Sequence, residues 1–480
     1  MSITLISILL VAYFGILLWM GYITSGKGDE EAFFSGNKQS PWYLVAFGMI
    51  GTSLSGVTFI SVPGKVGVAQ FAYFQLVLGY LAGYLVVAGL LMPLYYRLNV
   101  VSIYSYLEQR LGWWSYKTGS TLFLVSRTVG SSLRLFIAAD VLQTFLFNRI
   151  GIPFIVTVAI TILLIWLYTF KGGIKTIVWT DTFQTFFLVS AVIISVVVIG
   201  WELNWGALEL FEQVQKSSYS SIFFWDDPLA KNYFWKQFIS GMFITIVMTG
   251  LDQDLMQKNL SCKNISEAKK NMYWFSFVLV VINFLFLTLG ALLFLFATTK
   301  GIEIPKNTDQ LYPILALNHL GSVVGVFFLL GIIASSYASS DSALAALTTS
   351  FCIDFLQMDK KEYKNKTRHR TYVHIGFSIL FFLIIVFVHF FLRTQTLIDT
   401  VLGAAAYTYG PLLGLFAFGI FTDKKIVDRW VPLVCIVPPI LTYYIQANST
   451  VLLWGYTFAF EHILINAGLT FIGLWMIKKE

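Results

Sequence analysis

Apolar residues recur along this chain in long unbroken runs separated by short polar stretches. The alternation of period two that marks half-buried strands is not the dominant pattern. Thirteen such runs can be read, at 3–22, 42–62, 72–96, 118–147, 152–170, 177–200, 234–257, 271–297, 322–350, 371–392, 397–421, 430–446 and 451–477. A helix needs ~20 mostly apolar residues to cross ~30 Å of hydrocarbon, and the runs cluster about that length. The pattern predicts an all-α integral membrane protein with about 13 transmembrane helices. The first run has no basic residue before it and ends Trp19-Met20-Gly21-Tyr22, without a small-x-small cleavage site. It reads as a retained first helix and not as a signal peptide.

Composition agrees. The chain is 57% apolar and 12% charged, against ~45–50% and ~25% in ordinary soluble chains. So little charge cannot coat a soluble particle of this size, which excludes a water-soluble enzyme. The net charge of +7 points to topology once the basic residues are located. With the N-terminus outside, 22 of the 32 Lys and Arg fall in cytoplasmic segments and eight in outer ones, while Arg127 and Arg134 lie inside the fourth run. The excess of inner positive charge predicts an outer N-terminus and a cytoplasmic C-terminus in a cell (plasma or inner) membrane, with no need for a nucleic-acid partner. Cys262, Cys352 and Cys435 are too far apart for a disulfide framework or a zinc knuckle. The five histidines form no ligand-spaced set with acids, which argues against an intramembrane enzyme.

Irregular backbone at membrane depth is tolerated only beside protein or a cavity, so interrupted spans mark candidate sites. The second run carries Gly48, Gly51 and Gly56 with Thr52, Ser53, Ser55 and Thr58, followed by Val62-Pro63-Gly64. Close helix packing is the structural alternative for such small residues. The hydroxyls, with carbonyls freed near the glycines, also suit a hard cation or a polar solute. The ninth run reads Ser335-Ser336-Tyr337-Ala338-Ser339-Ser340-Asp341-Ser342. Oxygen-only donors favour hard cations, and five serines in eight positions exceed what back-bonding to the preceding turn would require. Asp181 lies within the sixth run, where a buried carboxylate costs ~2.5–3.5 kcal/mol. Ion binding or pairing with Arg127 or Arg134 would offset that cost. Asp252, Gln253, Asp254 and Gln257 cluster where the seventh run breaks, with solvation at the cytoplasmic face as the alternative. Glu461 and His462, in the last run, acquire no role from the sequence.

Taken together, these residues resemble the sodium:solute symporters. The resemblance rests on Ser55-Gly56 to Val62-Pro63-Gly64; on Gly172-Gly173 with Trp179-Thr180-Asp181 and Gln184; on Gln253 to Ser266-Glu267-Ala268-Lys269; and on Ser335-Ser336 with Ser339. It implies a five-plus-five inverted-repeat core with discontinuous helices. Segment 1–40 would then be a peripheral first helix and loop, 41–200 the first repeat, 201–232 an outer loop, 233–422 the second repeat and 423–480 two peripheral spans. It implies sodium as the coupling ion and no other cofactor. One sodium site would use carbonyls of Gly51, Leu54 and Ile332 with the Ser335 and Ser336 hydroxyls. A further sodium site would use Asp181, Ser335 and Ser339, with only the carbonyl of Ala338. A substrate site would draw on Ser53, Ser55, Thr58 and Gln75, with Asp252 and Gln253 opposite. Gln257-Lys258 stands where many members carry Gln-Arg. Arg127 and Arg134 are candidates for binding an anionic substrate, without a match to a particular family arginine, and the substrate class stays open among sugars, amino acids, sialic acids, carboxylates and inorganic anions. A proton-coupled carrier of the same fold and a non-transporting membrane sensor are the alternative readings, although the sequence stops directly after the last run, at Lys478-Lys479-Glu480, without a signalling module.

The implied mechanism is alternating access, in which sodium ties the broken helix to the ninth span and so shapes the substrate site. A potential of 100 mV supplies ~2.3 kcal/mol per charge, almost two decades of gradient for one sodium at ~1.4 kcal/mol per decade, and two sodium ions double the exponent. Ser335→Ala is expected to weaken the apparent sodium affinity of uptake in proteoliposomes more than substrate recognition. An unchanged sodium affinity would remove Ser335 from the site.

Overall fold

The computed structural model describes residues 3–24, 30–145, 147–170, 173–358, 365–391 and 397–479. Gly172 of the sixth-run motif, Lys27, Arg393 and part of the basic 354–370 loop lie outside them. The principal helices, numbered here in chain order, are α1 (Ile3–Thr24), α2 (Trp42–Ser53), α3 (Gly56–Ala69), α4 (Tyr73–Leu98), α5 (Trp113–Phe145), α6 (Phe154–Thr169), α7 (Gly173–Leu203), α8 (Phe234–Gly250), α9 (Gln253–Leu260), α10 (Ile265–Thr299), α11 (Gly321–Phe355), α12 (Lys366–Phe391), α13 (Leu397–Phe421), α14 (Val431–Ala447) and α15 (His462–Met476).

Among the described residues nine helices are long and apolar enough to cross a membrane, or eleven when two bent pairs each count as one span. Two shorter apolar helices, α6 and α15, occupy the fifth and thirteenth runs. The last run begins in the short helix Ser449–Leu452, turns at Trp454 (φ 50°) and Gly455 (φ +90°), and is helical again from His462. The bent pairs are α2–α3, at 60°, and α8–α9, at 64°. They fall in the second and seventh runs, five runs apart, which is the spacing of the expected repeat.

The core is organised around α11, whose residues from Ile332 through Ser350 are all buried. A helix that is buried all round has no polar face to offer, and this one is built from Ala, Ser and Gly, so its neighbours come close. A Cβ at Gly331 would stand 2.8 Å from Ala191 of α7. Helices α7, α5, α2 and α3 all pack on it. The periphery is the converse: α1 (Val11, Trp19), α12 (Leu383, Phe387) and α14 (Ile436, Ile440) turn large apolar side chains outward. In a membrane protein that is a lipid-facing surface.

A second close packing holds α4 against α8. A Cβ at Gly241 would lie 2.0 Å from the Leu76 carbonyl oxygen, and one at Gly79 would lie 2.1 Å from that of Phe238. Both helices carry a wider π-type turn, Val87–Leu91 in α4 and Ile246–Gly250 in α8, and these turns touch. Gln75, expected at the substrate, instead fastens the outer loop. Its Nε2 donates to the Asn232 carbonyl at 2.9 Å and its Oε1 accepts from the Phe224 amide at 3.1 Å. Glu461 gains a role here, accepting from Tyr456 at 2.7 Å, from the Ala459 amide at 2.9 Å and from Ser240 of α8 at 3.3 Å. The His462 ring packs against Tyr407 at 5.0 Å. Lys258, counted above with the cytoplasmic loop charges, is buried in α9; the inner excess of positive charge survives its removal.

Overpacking a close helix crossing costs about 1–3 kcal/mol. Gly241→Ala is expected to lower the thermal midpoint of the detergent-solubilised protein, whereas Gly89→Ala, where a Cβ meets nothing within 4 Å, is expected to leave it unchanged.

Candidate functional site

The first bend sits at Leu54 (φ −89°, ψ 71°) and Ser55 (φ −64°, ψ 169°). The closing carbonyls of α2 and the opening N–H groups of α3 there lie beyond intrahelical reach. Helix α11 passes directly beside this bend. A Cβ at Gly56 would stand 2.0 Å from the Ser336 hydroxyl oxygen, so only glycine permits the approach. Three of the serines of α11 are satisfied within their own helix: Ser335 donates to the Ile332 carbonyl at 3.1 Å, and Ser339 and Ser340 donate to that of Ser336 at 3.1 and 2.8 Å. Back-bonding therefore accounts for more of the serine cluster than the sequence suggested. The Ser336 hydroxyl is different, being buried without a hydrogen-bond partner among the described residues. An unpaired buried oxygen beside freed carbonyls fits a hard cation; Gly56 meets both Ser336 and Ile332 of α11 here and Leu54 forms the bend itself, while Gly51, a turn earlier, packs on Thr185 of α7, its N–H donating to that hydroxyl at 3.0 Å.

The second bend, at Leu251 and Asp252, shows how freed backbone is satisfied without water. Tyr95 donates to the Gly250 carbonyl at 2.9 Å and Tyr104 to that of Leu251 at 3.0 Å. Asp252 caps α9, accepting from the Asp254 amide at 2.9 Å. Both acids are fully buried and so are not solvated at the cytoplasmic face. Arg127 of α5 lies between them, pairing with Asp254 and standing 3.7 Å from Asp252, while Tyr409 donates to Asp252 and Ser342 to Asp254. Gln253 faces away from any cavity: its Nε2 donates to the Val101 carbonyl at 2.7 Å and its Oε1 accepts from the Ile103 amide at 3.0 Å. Asp252 and Gln253, nominated for substrate, thus hold the bend and the adjoining 101–103 segment.

A cavity of about 90 Å³ opens at the first bend. Ser53, Ser55 and Thr58 line it as expected, facing Tyr73, Tyr80 and Tyr84 of α4, Thr245 and Thr249 of α8, and Asn283 of α10. Neither Gln75, Asp252 nor Gln253 lines it. Arg127 and Arg134 both reach it, as two residues seven apart on one helix share a face. Their electrostatics differ. Arg127 stands between two carboxylates, whereas Arg134 has no acidic group within salt-bridge distance among the described residues and feels Asp252 only at longer range. The tyrosines are contributions that the sequence reading did not name, whereas Arg127 and Arg134 were its candidates for an anionic solute.

Asp181 pairs with neither arginine. Its Oδ2 is 2.5 Å from Lys258 Nζ and accepts from Thr52 at 3.0 Å. Sequence reasoning missed Lys258 because it is 77 residues away and sits at the end of an apolar run, where a lysine reads as a loop charge.

Residues 33–427 match the profile of the sodium:solute symporter family. The sodium/sialic acid symporter NanT of Aliivibrio fischeri is 26% identical over 88% of this chain and 84% of its own length. Human sodium-coupled monocarboxylate transporter 1 is 26% identical over 86% of this chain and 68% of its own. Among solved structures, a substrate-bound, outward-open Na+-coupled sialic acid symporter superposes with a TM-score of 0.85 at 21% identity, covering 100% of this chain and 99% of that one. This likeness extends the fold assignment over the whole length.

Removing one partner of a buried ion pair costs about 3–5 kcal/mol. Arg127→Ala is expected to destabilise the protein by that order in thermal unfolding, with partial recovery when Asp254→Asn is added. Equal melting of Arg127→Ala and the unmodified chain would show that the network carries no such charge balance.

Proposed function

The chain belongs to the sodium:solute symporter family, and from that premise we propose that it imports a small carboxylate together with sodium. The observation that carries the substrate class is Arg134, a guanidinium reaching the cavity at the first bend without an acidic partner among the described residues. A cation lodged in a mostly apolar span is costly, and a negatively charged solute offsets that cost as it binds. Sialic acid and monocarboxylates, the solutes in the names of the two relatives, both carry a carboxylate. Arg pairs with such a group through two parallel N–H bonds, and the Ser53, Ser55 and Thr58 hydroxyls add donors for neutral parts of the solute.

Sodium is assigned to the junction of Gly51, Leu54, Ile332, Ser335 and Ser336. It would hold the bend of α2–α3 against α11 and so fix the hydroxyls that line the cavity. Coupling then follows from linkage: an ion that orders the bend raises solute affinity, and the solute raises ion affinity by the same factor. Alternating access moves both across. The N-terminus is placed outside and the C-terminus in the cytoplasm by the distribution of Lys and Arg. The inverted repeat is assigned to 41–200 and 233–422, with 1–40 and 423–480 peripheral.

Proteoliposome uptake under an inward sodium gradient at constant pH tests this reading, using labelled sialic acid, short monocarboxylates, a hexose and proline. Accumulation of a carboxylate is expected, and Arg134→Gln is expected to weaken its apparent affinity about ten- to hundredfold, the loss of one charge-assisted contact. Accumulation of the hexose or proline in place of carboxylates would overturn the substrate class. Uptake that follows an imposed pH gradient and ignores sodium would favour proton coupling.

A further inference from the structure

The second sodium site implied by the resemblance does not fit the residues of this chain. Asp181 would be its only charged ligand, and that carboxylate already has a cation. Lys258 Nζ lies 2.5 Å from Asp181 Oδ2 and donates to Thr52 Oγ1 at 2.5 Å, while Thr52 donates to the same carboxylate oxygen at 3.0 Å. Lys258 is 1% exposed and Asp181 0%, so water does not screen the pair. Asp181 Oδ1 has no hydrogen-bond partner among the described residues, but with the ammonium on Oδ2 the two charges form a neutral pair, so a second monovalent cation gains only the difference between its distances to the carboxylate and to the ammonium. The remaining ligands are neutral and do not offset the ammonium. The Ser335 and Ser339 hydroxyls donate to carbonyls of their own helix, and Ala338 has no hydroxyl to give.

The ammonium also ties three elements together, Lys258 coming from α9, Thr52 from α2 and Asp181 from α7, where the implied ion would tie α7 to α11. A Cβ at Gly48, one turn before Thr52, would stand 3.0 Å from the Asp181 Cβ, so α2 and α7 already meet closely at this point. We propose that Lys258 is a tethered cation standing in place of a second sodium at Asp181, so that each transport cycle carries one sodium. This rests on the sodium-coupled reading above and adds the number of ions.

Equilibrium binding of radioactive sodium to the purified full chain in detergent, at constant pH, counts the sites without a substrate. One sodium per chain is expected for the unmodified protein. Lys258→Gln strands the Asp181 carboxylate and is expected to bind two. Because that stranded charge threatens folding, Lys258→Gln combined with Asp181→Asn is measured beside it; this neutral pair is expected to bind one and to melt near the unmodified chain. Two sodium ions in the unmodified chain, falling to one in the neutral pair, would overturn the role of Lys258 alone. A folded Lys258→Gln that still binds one would also overturn it. A count of zero throughout would overturn sodium coupling itself, and this inference with it.

Discussion

Hydrocarbon offers no hydrogen bonds, and two spans of this protein break their own ladders inside it. Each break has to be covered by something polar that the rest of the fold delivers, and most of the architecture follows from that delivery. At the second bend the cover is two tyrosine hydroxyls and a capping aspartate. At the first bend it is incomplete: α11 presses Ser336 against Gly56, yet that hydroxyl has no partner among the described residues. The sealed bend is a structural joint. The unsealed one is where the proposed ion and solute sites lie.

Buried charge follows the same logic. Arg127 stands between Asp252 and Asp254 and offsets one of their two negative charges, while Lys258 neutralises Asp181, in each case across two helices. Such pairs lose much of their Coulombic gain to desolvation, so they add less to stability than to register. They fix which face of α5 meets the second bend and where α9 meets α7. Arg134 differs in contact and not in sign: it makes no salt bridge among the described residues, and Asp252 acts on it only at longer range.

The bends, the buried serine helix and the lipid-facing periphery were legible in the sequence because each is a local pattern. Gly and hydroxyl clusters mark broken helices, small residues mark close crossings and long apolar runs mark spans. The partners of the buried polar groups were not legible. Gln75 and Gln253 look like ligands as residue types, but a glutamine at membrane depth can equally tie down a loop, and only the tertiary path decides. Asp181 was recognisable as costly and its partner was not, since Lys258 stands in sequence where a cytoplasmic anchor would. The fifth and thirteenth runs show the limit of hydropathy alone: their apolar stretches contain helices of 16 and 15 residues, with turns completing the run.

The lysine at Asp181 has an electrical consequence. A tethered charge stays with the protein, so it contributes nothing to what is carried across. A singly charged carboxylate moving with one sodium is then an electroneutral cargo, and the membrane voltage, ~2.3 kcal/mol per charge per 100 mV, does no work on it. Accumulation of such a solute would follow the sodium ratio alone, decade for decade. A carrier built this way is blind to depolarisation and keeps importing in a cell whose voltage has collapsed, for as long as sodium is kept out.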